Sequence, residues 1–281
     1  MKNVFTFLLL LFSLLCNGQS PKLFTTDKEL SSSLINQIYQ DRNGFIWIAT
    51  EDGLNRYDGA KFTIYKHEPN NEHSLAHNFV RTVFEDSKGH LLIGTYIGIQ
   101  MYDPATDNFT PLAKLEDTGE TLESNINSFI ERKNGEIWVS GNVLCKLDIK
   151  DHLLTVRKVD IAVTSPGSLF EDKKQNVWMA KGEEGVYQLT PDNQLTLHLS
   201  KDNGYVKSIC EDQRGNIYVG SIRKGLFIYD KERKTFVPVD LKEKGELPVC
   251  FLYSGIPNEL YIGTDGKGVA IYNIRTHEIS E

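Results

Sequence analysis
The chain has 281 residues with 31 basic and 38 acidic side chains, a net charge of -7, which argues against nucleic acid or an anionic membrane surface as the main partner. Its 25% charged and 40% hydrophobic residues are those of a soluble globular protein, and the length allows one large β domain or two small ones. The cysteines have no metal-ligand spacing, so neither a metal nor another cofactor is implied.

Chain order begins with a leader. Met1–Asn3 carries one positive charge, Val4–Leu15 is almost wholly apolar, and Gly18 offers a small residue for cleavage. This is the layout of a secretory signal peptide over residues 1–18, whose apolar run is short for a bilayer span. Leu15 occupies the place where a lipoprotein signal carries a small residue, which argues against a lipid anchor at Cys16. The mature chain, 19–281, is therefore expected to be exported and to have no membrane span. It keeps Cys145, Cys210 and Cys250, an odd and scattered set that does not read as a disulfide framework. Cys210 reads as a small buried hydrophobe on a strand.

The next informative stretch is QDRNGFIWIATEDGLNRYDG, residues 40–59. Asp41-Arg42-Asn43-Gly44 is a tight turn, in which Asp41 can accept from the turn's own amides and Gly44 tolerates a positive φ. The apolar run that follows is too short for a helix. The first unit thus reads as four strands, at residues 35–40, 45–50, 54–57 and 61–66.

The stretch recurs from Phe84, Ile130, Phe170, Cys210 and, more weakly, Tyr253. The bulky residue of each second strand falls at Trp47, Leu92, Trp138, Trp178, Tyr218 and Tyr261, about 40 to 46 residues apart, the period of a four-stranded propeller blade. The repeated structural residues are Asp41, Gly44, Trp47 and Gly53, then Asp86, Gly89 and Gly98, then Gly135 and Trp138. Asp172 and Trp178 follow in the fourth unit, Asp212, Gly215 and Tyr218 in the fifth, and Tyr261 in the sixth. A four-stranded sheet with two apolar faces cannot bury both alone, whereas blades stacked around an axis do. The expected fold is all-β, a propeller of four-stranded antiparallel blades with six repeats, near 34–66, 79–111, 125–158, 166–198, 205–238 and 248–280.

The pattern D-x-x-G-x-[IL]-W-[IV]-[GA]-T followed by Gly-Leu and an aromatic resembles the two-component regulator propeller repeat. The resemblance covers essentially the whole mature chain. It implies the periplasmic sensor region of a hybrid two-component histidine kinase, with a glycan-derived ligand and no catalysis by the propeller itself. Such sensors pair two seven-bladed propellers with a membrane helix and a kinase, and this sequence holds no kinase or receiver motif, so it reads as a truncated N-terminal part. The departures are Arg132 for the turn Asp in the third unit, Gln175 for the turn Gly in the fourth and Gly255 for Asp in the sixth; these three turns are expected to be looser. Residues 21–26 resemble a fourth strand that precedes the first unit. They suggest an incomplete seven-bladed ring, the alternative being a closed six-bladed one.

In this strand order the innermost strands begin with Asn36 and Gln37, Arg81 and Thr82, Asn127 and Ser128, and Lys207 and Ser208. These eight residues are the candidate ligand-binding collar, suited to an oligosaccharide; the opposing reading is that they only hydrate the channel mouth. The loop 67–74 and the histidines His67, His73 and His77 lie on the same rim, and solvated loop residues are the better account of them than metal ligands. Candidate partners are an oligosaccharide, a second copy of the chain or the remaining sensor polypeptide. A stand-alone secreted protein that docks other proteins is the alternative function. The turns also resemble the Asp-boxes of sialidases, but the few arginines, several of them in turns, leave a glycosidase or lyase remote.

Overall fold
The computed structural model describes residues 23–26, 29–199, 204–241 and 247–280. The expected signal peptide, with Cys16, lies outside the described residues. The described chain forms six antiparallel sheets in succession and no helix. Blade one holds β1 (Ile35–Gln40), β2 (Ile46–Thr50), β3 (Gly53–Tyr57) and β4 (Phe62–Tyr65). Blade two holds β5 (Val80–Glu85), β6 (Leu91–Thr95), β7 (Ile99–Asp103) and β8 (Asn108–Phe109). A short β9 (Lys114–Leu115) joins blade three, made of β10 (Ser128–Glu131), β11 (Ile137–Ser140), β12 (Leu144–Lys150) and β13 (Leu153–Lys158). β9 pairs in parallel with β13, so this sheet alone has five strands.

Blade four comprises β14 (Leu169–Glu171), β15 (Val177–Lys181), β16 (Gly185–Leu189) and β17 (Leu195–Leu199). Blade five comprises β18 (Val206–Glu211), β19 (Ile217–Ser221), β20 (Gly225–Asp230) and β21 (Thr235–Pro238). Blade six comprises β22 (Val249–Tyr253), β23 (Glu259–Thr264), β24 (Val269–Asn273) and β25 (Ile279–Ser280). Each blade's first strand packs against the first strand of the next, from β1 through β5, β10, β14 and β18 to β22, so these strands line the axis. Among the described residues no comparable packing joins β22 to β1. Leu23–Thr26, in the region of the expected extra strand, form no strand; Phe24 instead rests on Tyr57 and Phe62 of blade one, at 5.2 and 5.0 Å between ring centroids.

The turn Asp organises the repeats that carry it. Asp41 Oδ1 accepts from the amides of Asn43 and Phe45, and its Oδ2 accepts from the Trp47 indole at 2.8 Å. Asp172 does the same for Lys174, Asn176 and Trp178, so one carboxylate closes the turn and satisfies a buried indole N–H. The expectation of looser turns fails in two of the three units. In unit three the backbone closes as elsewhere, with Gly135 N donating to Arg132 O at 2.8 Å. Asn134 takes over the side-chain acceptor role, and Glu136 receives the Trp138 indole at 3.0 Å. In unit four Gln175 simply adopts φ 66°, and its amide still reaches Asp172 O at 3.0 Å. Unit six does depart: the closing bond shifts to Glu259 N donating to Ile256 O. Close approach matters at Gly185, where φ is 121° and an added Cβ would stand 1.4 Å from Leu199 O.

Packing follows the repeat. Trp47 is fully buried and clusters with Leu75 of the connecting loop and with Val80 and Val83 of the next blade, and Trp178 clusters with Val206 and Ile209 of its own next blade. These side chains are the wedges between blades. Cys210 is buried on β18, and burial pushes its thiol up to about 12 and that of Cys145 up to about 11, so both stay protonated fillers.

Candidate functional site
The register Ile35↔Thr50 puts the start of the axial strand and the end of the second strand on one rim, the upper one. The loops 66–79 and 110–127 emerge there. The tight Asp turns occupy the lower rim.

The axial strand is a sheet edge, and half of its amides point away from its own blade. The polar residues singled out on it largely meet that need. Asn36 Nδ2 donates to Val80 O at 2.8 Å, and Gln37 Oε1 accepts from Val83 N at 2.6 Å. Arg81 Nη1 donates to Asn127 Oδ1 at 3.0 Å, and Asn127 Nδ2 passes the link on to Pro166 O at 3.0 Å. Ser128 Oγ accepts from Leu169 N at 3.0 Å, and Ser208 Oγ from Leu252 N at 3.1 Å. Thr82 is buried, and Lys207 is exposed at the start of β18. The collar is thus a ladder of bonds from blade to blade, six of the eight residues taking part.

Sequence reasoning passed over two features. On the lower rim, glutamates at the ends of the axial strands receive the turn amide of the preceding blade: Arg42 N reaches Glu85 at 2.8 Å, Ser87 N reaches Glu131 at 2.7 Å, and Lys133 N reaches Glu171 at 2.6 Å. The signal was present as the recurring Glu85, Glu131, Glu171 and Glu211 just before the turn position. On the upper rim, Phe79, Tyr96 and Asn125 stand at the channel lip beside Arg81, and no repeat rule marks them.

The histidines of the long loop serve its architecture. His67 Nδ1 bonds Leu75 O at 2.8 Å, His73 Nδ1 bonds Phe109 O at 3.2 Å, and His77 Nδ1 accepts from Phe79 N at 2.9 Å. Among the described residues no group of three or more His, Cys, Asp or Glu could hold a metal ion, and no helix is long and apolar enough to cross a membrane.

The family model for the two component regulator propeller matches residues 29–52, 74–96 and 200–223. Each match takes in an axial strand with its lead-in and turn. Three of the six repeat units, the first, second and fifth, therefore match the two-component regulator propeller repeat. Histidine kinase P4 of Formosa agariphila is 37% identical over 83 residues, 27% of this chain and 6% of that protein. The extracellular domain of the BT4673 hybrid two component system from B. thetaiotaomicron superposes with a TM-score of 0.75 at 18% identity, covering 94% of this chain and 38% of that one. The propeller therefore spans well under half of these relatives' length. Virginiamycin B lyase from Staphylococcus aureus shares the fold at 13% identity, with a TM-score of 0.68 over 94% of this chain and 87% of that one. One architecture serves the extracellular domain of a two component system in one protein and a lyase in another, so function must be argued from the site.

Proposed function
We propose that the chain is a non-catalytic ligand-sensing propeller of a two-component signal transduction system, exported to the periplasm and responsive to glycan-derived ligands. The observation that carries the reading is the recurrence of the sensor-type repeat along the chain, with matches over residues 29–52, 74–96 and 200–223. The upper rim supports it. There a rigid ladder of axial strands holds longer loops whose side chains differ from blade to blade, the usual placement of recognition on a scaffold.

A sensor responds only as far as its ligand favours one state over another. The test is a thermal unfolding series of the purified chain against a panel of defined oligosaccharides. The expected result is a concentration-dependent rise in Tm with a subset of glycans, at constant glycan composition before and after incubation. Cleavage of a glycan would replace the reading with an enzymatic one. The alternative, a protein-docking role, has its own support in the exposed Phe251, Tyr253 and Val269 of blade six. It would be favoured by capture of a defined protein partner together with indifference to every sugar.

A further inference from the structure
The backbone at the channel lip repeats, but the side chains it carries do not. In four blades the residue after the second strand donates its amide to the residue just before the axial strand: Glu51 to Leu34, Tyr96 to Phe79, Ile222 to Tyr205 and Asp265 to Pro248. Of these four pairs, that of blade two alone places two aromatic rings together. Phe79 and Tyr96 lie stacked, 6.0 Å apart with 21° between their planes, and His77 lies 5.6 Å from Tyr96. Tyr96 is 52% exposed, although a ring of its size gains most from burial.

A second observation falls on the same spot. Among the described residues three side-chain polar atoms are buried without a hydrogen-bond partner: Arg81 Nε, Asn125 Oδ1 and Ser254 Oγ. Two of them border this ledge. The Arg81 guanidinium carbon is 5.3 Å from the Phe79 ring centroid. Asn125 sits in the segment that clasps Tyr96, with Ser124 N bonding Ile97 O at 3.3 Å and Ile126 N bonding Thr95 O at 3.0 Å. One orphan is a donor and the other an acceptor. Both atoms are closed to solvent, so what the ledge offers a ligand is the charge of Arg81 and not these two atoms.

We propose that Tyr96, Phe79 and His77 form a stacking site for a pyranose ring at the upper lip of blades two and three, with the Arg81 guanidinium beside it. A pyranose offers what this lip lacks, an apolar C–H face to cover the half-exposed Tyr96 ring. Arg81 adds a positive charge that an acidic sugar would use and a neutral sugar would not. The assignment rests on the sensing reading for its ligand class, and it names where on the rim that ligand sits.

The test is titration of the purified chain with methyl pyranosides of gluco, galacto, manno and glucurono configuration, followed by tyrosine fluorescence and by chemical shifts of the sugar C–H protons. Wild type should show a saturable response in the millimolar range, at up to roughly 50 mM sugar. Tyr96→Ala should weaken it about tenfold, since loss of one stacked ring removes about one step of that size, whereas Tyr96→Phe should stay within about twofold. Ser254→Ala, at the third orphan and away from this lip, should bind as wild type does. A preference for the glucurono probe that disappears in Arg81→Met would assign the carboxylate contact to Arg81. Equal response to all four probes would assign recognition to the stacked ring. If a sugar binds Tyr96→Ala as tightly as wild type, the ledge is the wrong place and glycan sensing stands. If wild type responds to none of the four, the ledge falls as a pyranose site, and the oligosaccharide unfolding series decides the glycan reading separately.

Discussion

Blades one and six carry the same repeat on the same register, yet equivalent positions meet opposite environments. In blade one the face toward blade two holds Trp47, Ala49 and Leu54, all fully buried. Trp47 lies 5.9 Å from Tyr65 and 4.9 Å from Tyr102, and the Arg56 guanidinium lies within 5.7 Å of four rings. In blade six the matching positions are Tyr261, Gly263 and Val269, by the pairings Tyr253↔Tyr261 and Gly263↔Val269. Val269 is 58% exposed where Leu54 is buried, and Phe251 and Tyr253 beside it are 58% and 53% exposed. The local sheets are alike and only the presence of a covering blade differs. A wedge residue therefore owes its energy to the neighbour and not to the motif it belongs to.

The sharpest way to break this comparison is to remove a wedge from the covered side. Trp47→Ala should destabilise the chain by about 3 to 5 kcal/mol, the cost of a large cavity in a core that cannot collapse onto it. It also strands the Asp41 carboxylate, whose Oδ2 loses the indole donor. Urea unfolding at neutral pH reads this as a lower midpoint at unchanged slope. A loss under about 1 kcal/mol would mean that blades one and two are held by the edge bonds of β1 and β5 and not by the wedge.

A second contrast sets unit three against its neighbours. There Arg132 replaces the turn aspartate, and Glu136 receives the Trp138 indole at 3.0 Å and Lys146 Nζ at 2.5 Å. Burial alone would raise the Glu136 pKa, but the bonds from Lys146, Trp138 and Asn134 outweigh it and hold the carboxyl at about 2. A carboxylate depressed in the folded state adds stability that is complete above its unfolded pKa of 4.5 and is lost as pH falls from there through about 2. The side chain is a third exposed, so solvent screening keeps the effect modest. Glu136→Gln should be less stable than wild type at pH 6, and the gap should narrow by pH 3. Equal midpoint differences at both pH values would show that the Lys146 pair carries no net energy.

How much of this was legible in the sequence follows the same division. The strands, the Asp turns and the wedges at Trp47, Trp138 and Trp178 could be read because they repeat, and a repeat exposes its own rule. Two of the three expected weak turns were misread, because a turn is closed by backbone geometry that Gln175 can adopt and by acceptors that Asn134 and Glu136 can replace. The collar residues were placed on the right strands, but their polar groups face unpaired edge amides of the next blade, a demand that exists only once blades are stacked. Phe79, Tyr96 and Asn125 were invisible for the opposite reason. They vary from blade to blade, and one sequence offers nothing to set such variation against.

The smallest expected effect tests the exposed side of the comparison directly. Tyr261 occupies the place of Trp47, pairs across the sheet with Tyr253 and Ile271, and bonds Glu259 through its hydroxyl at 2.9 Å. With no blade packed on that face among the described residues, Tyr261→Ala gives up little buried area and should cost under about 1 kcal/mol in dilute solution. The same substitution becomes informative as concentration rises. If copies of the chain cover one another's open faces, the wild type should gain stability with concentration, as any folded state does when a partner binds it, and Tyr261→Ala should lose that gain. A cost near that of Trp47→Ala, independent of concentration, would instead mean that the face is already covered within one chain, and that blade six is held as blade one is.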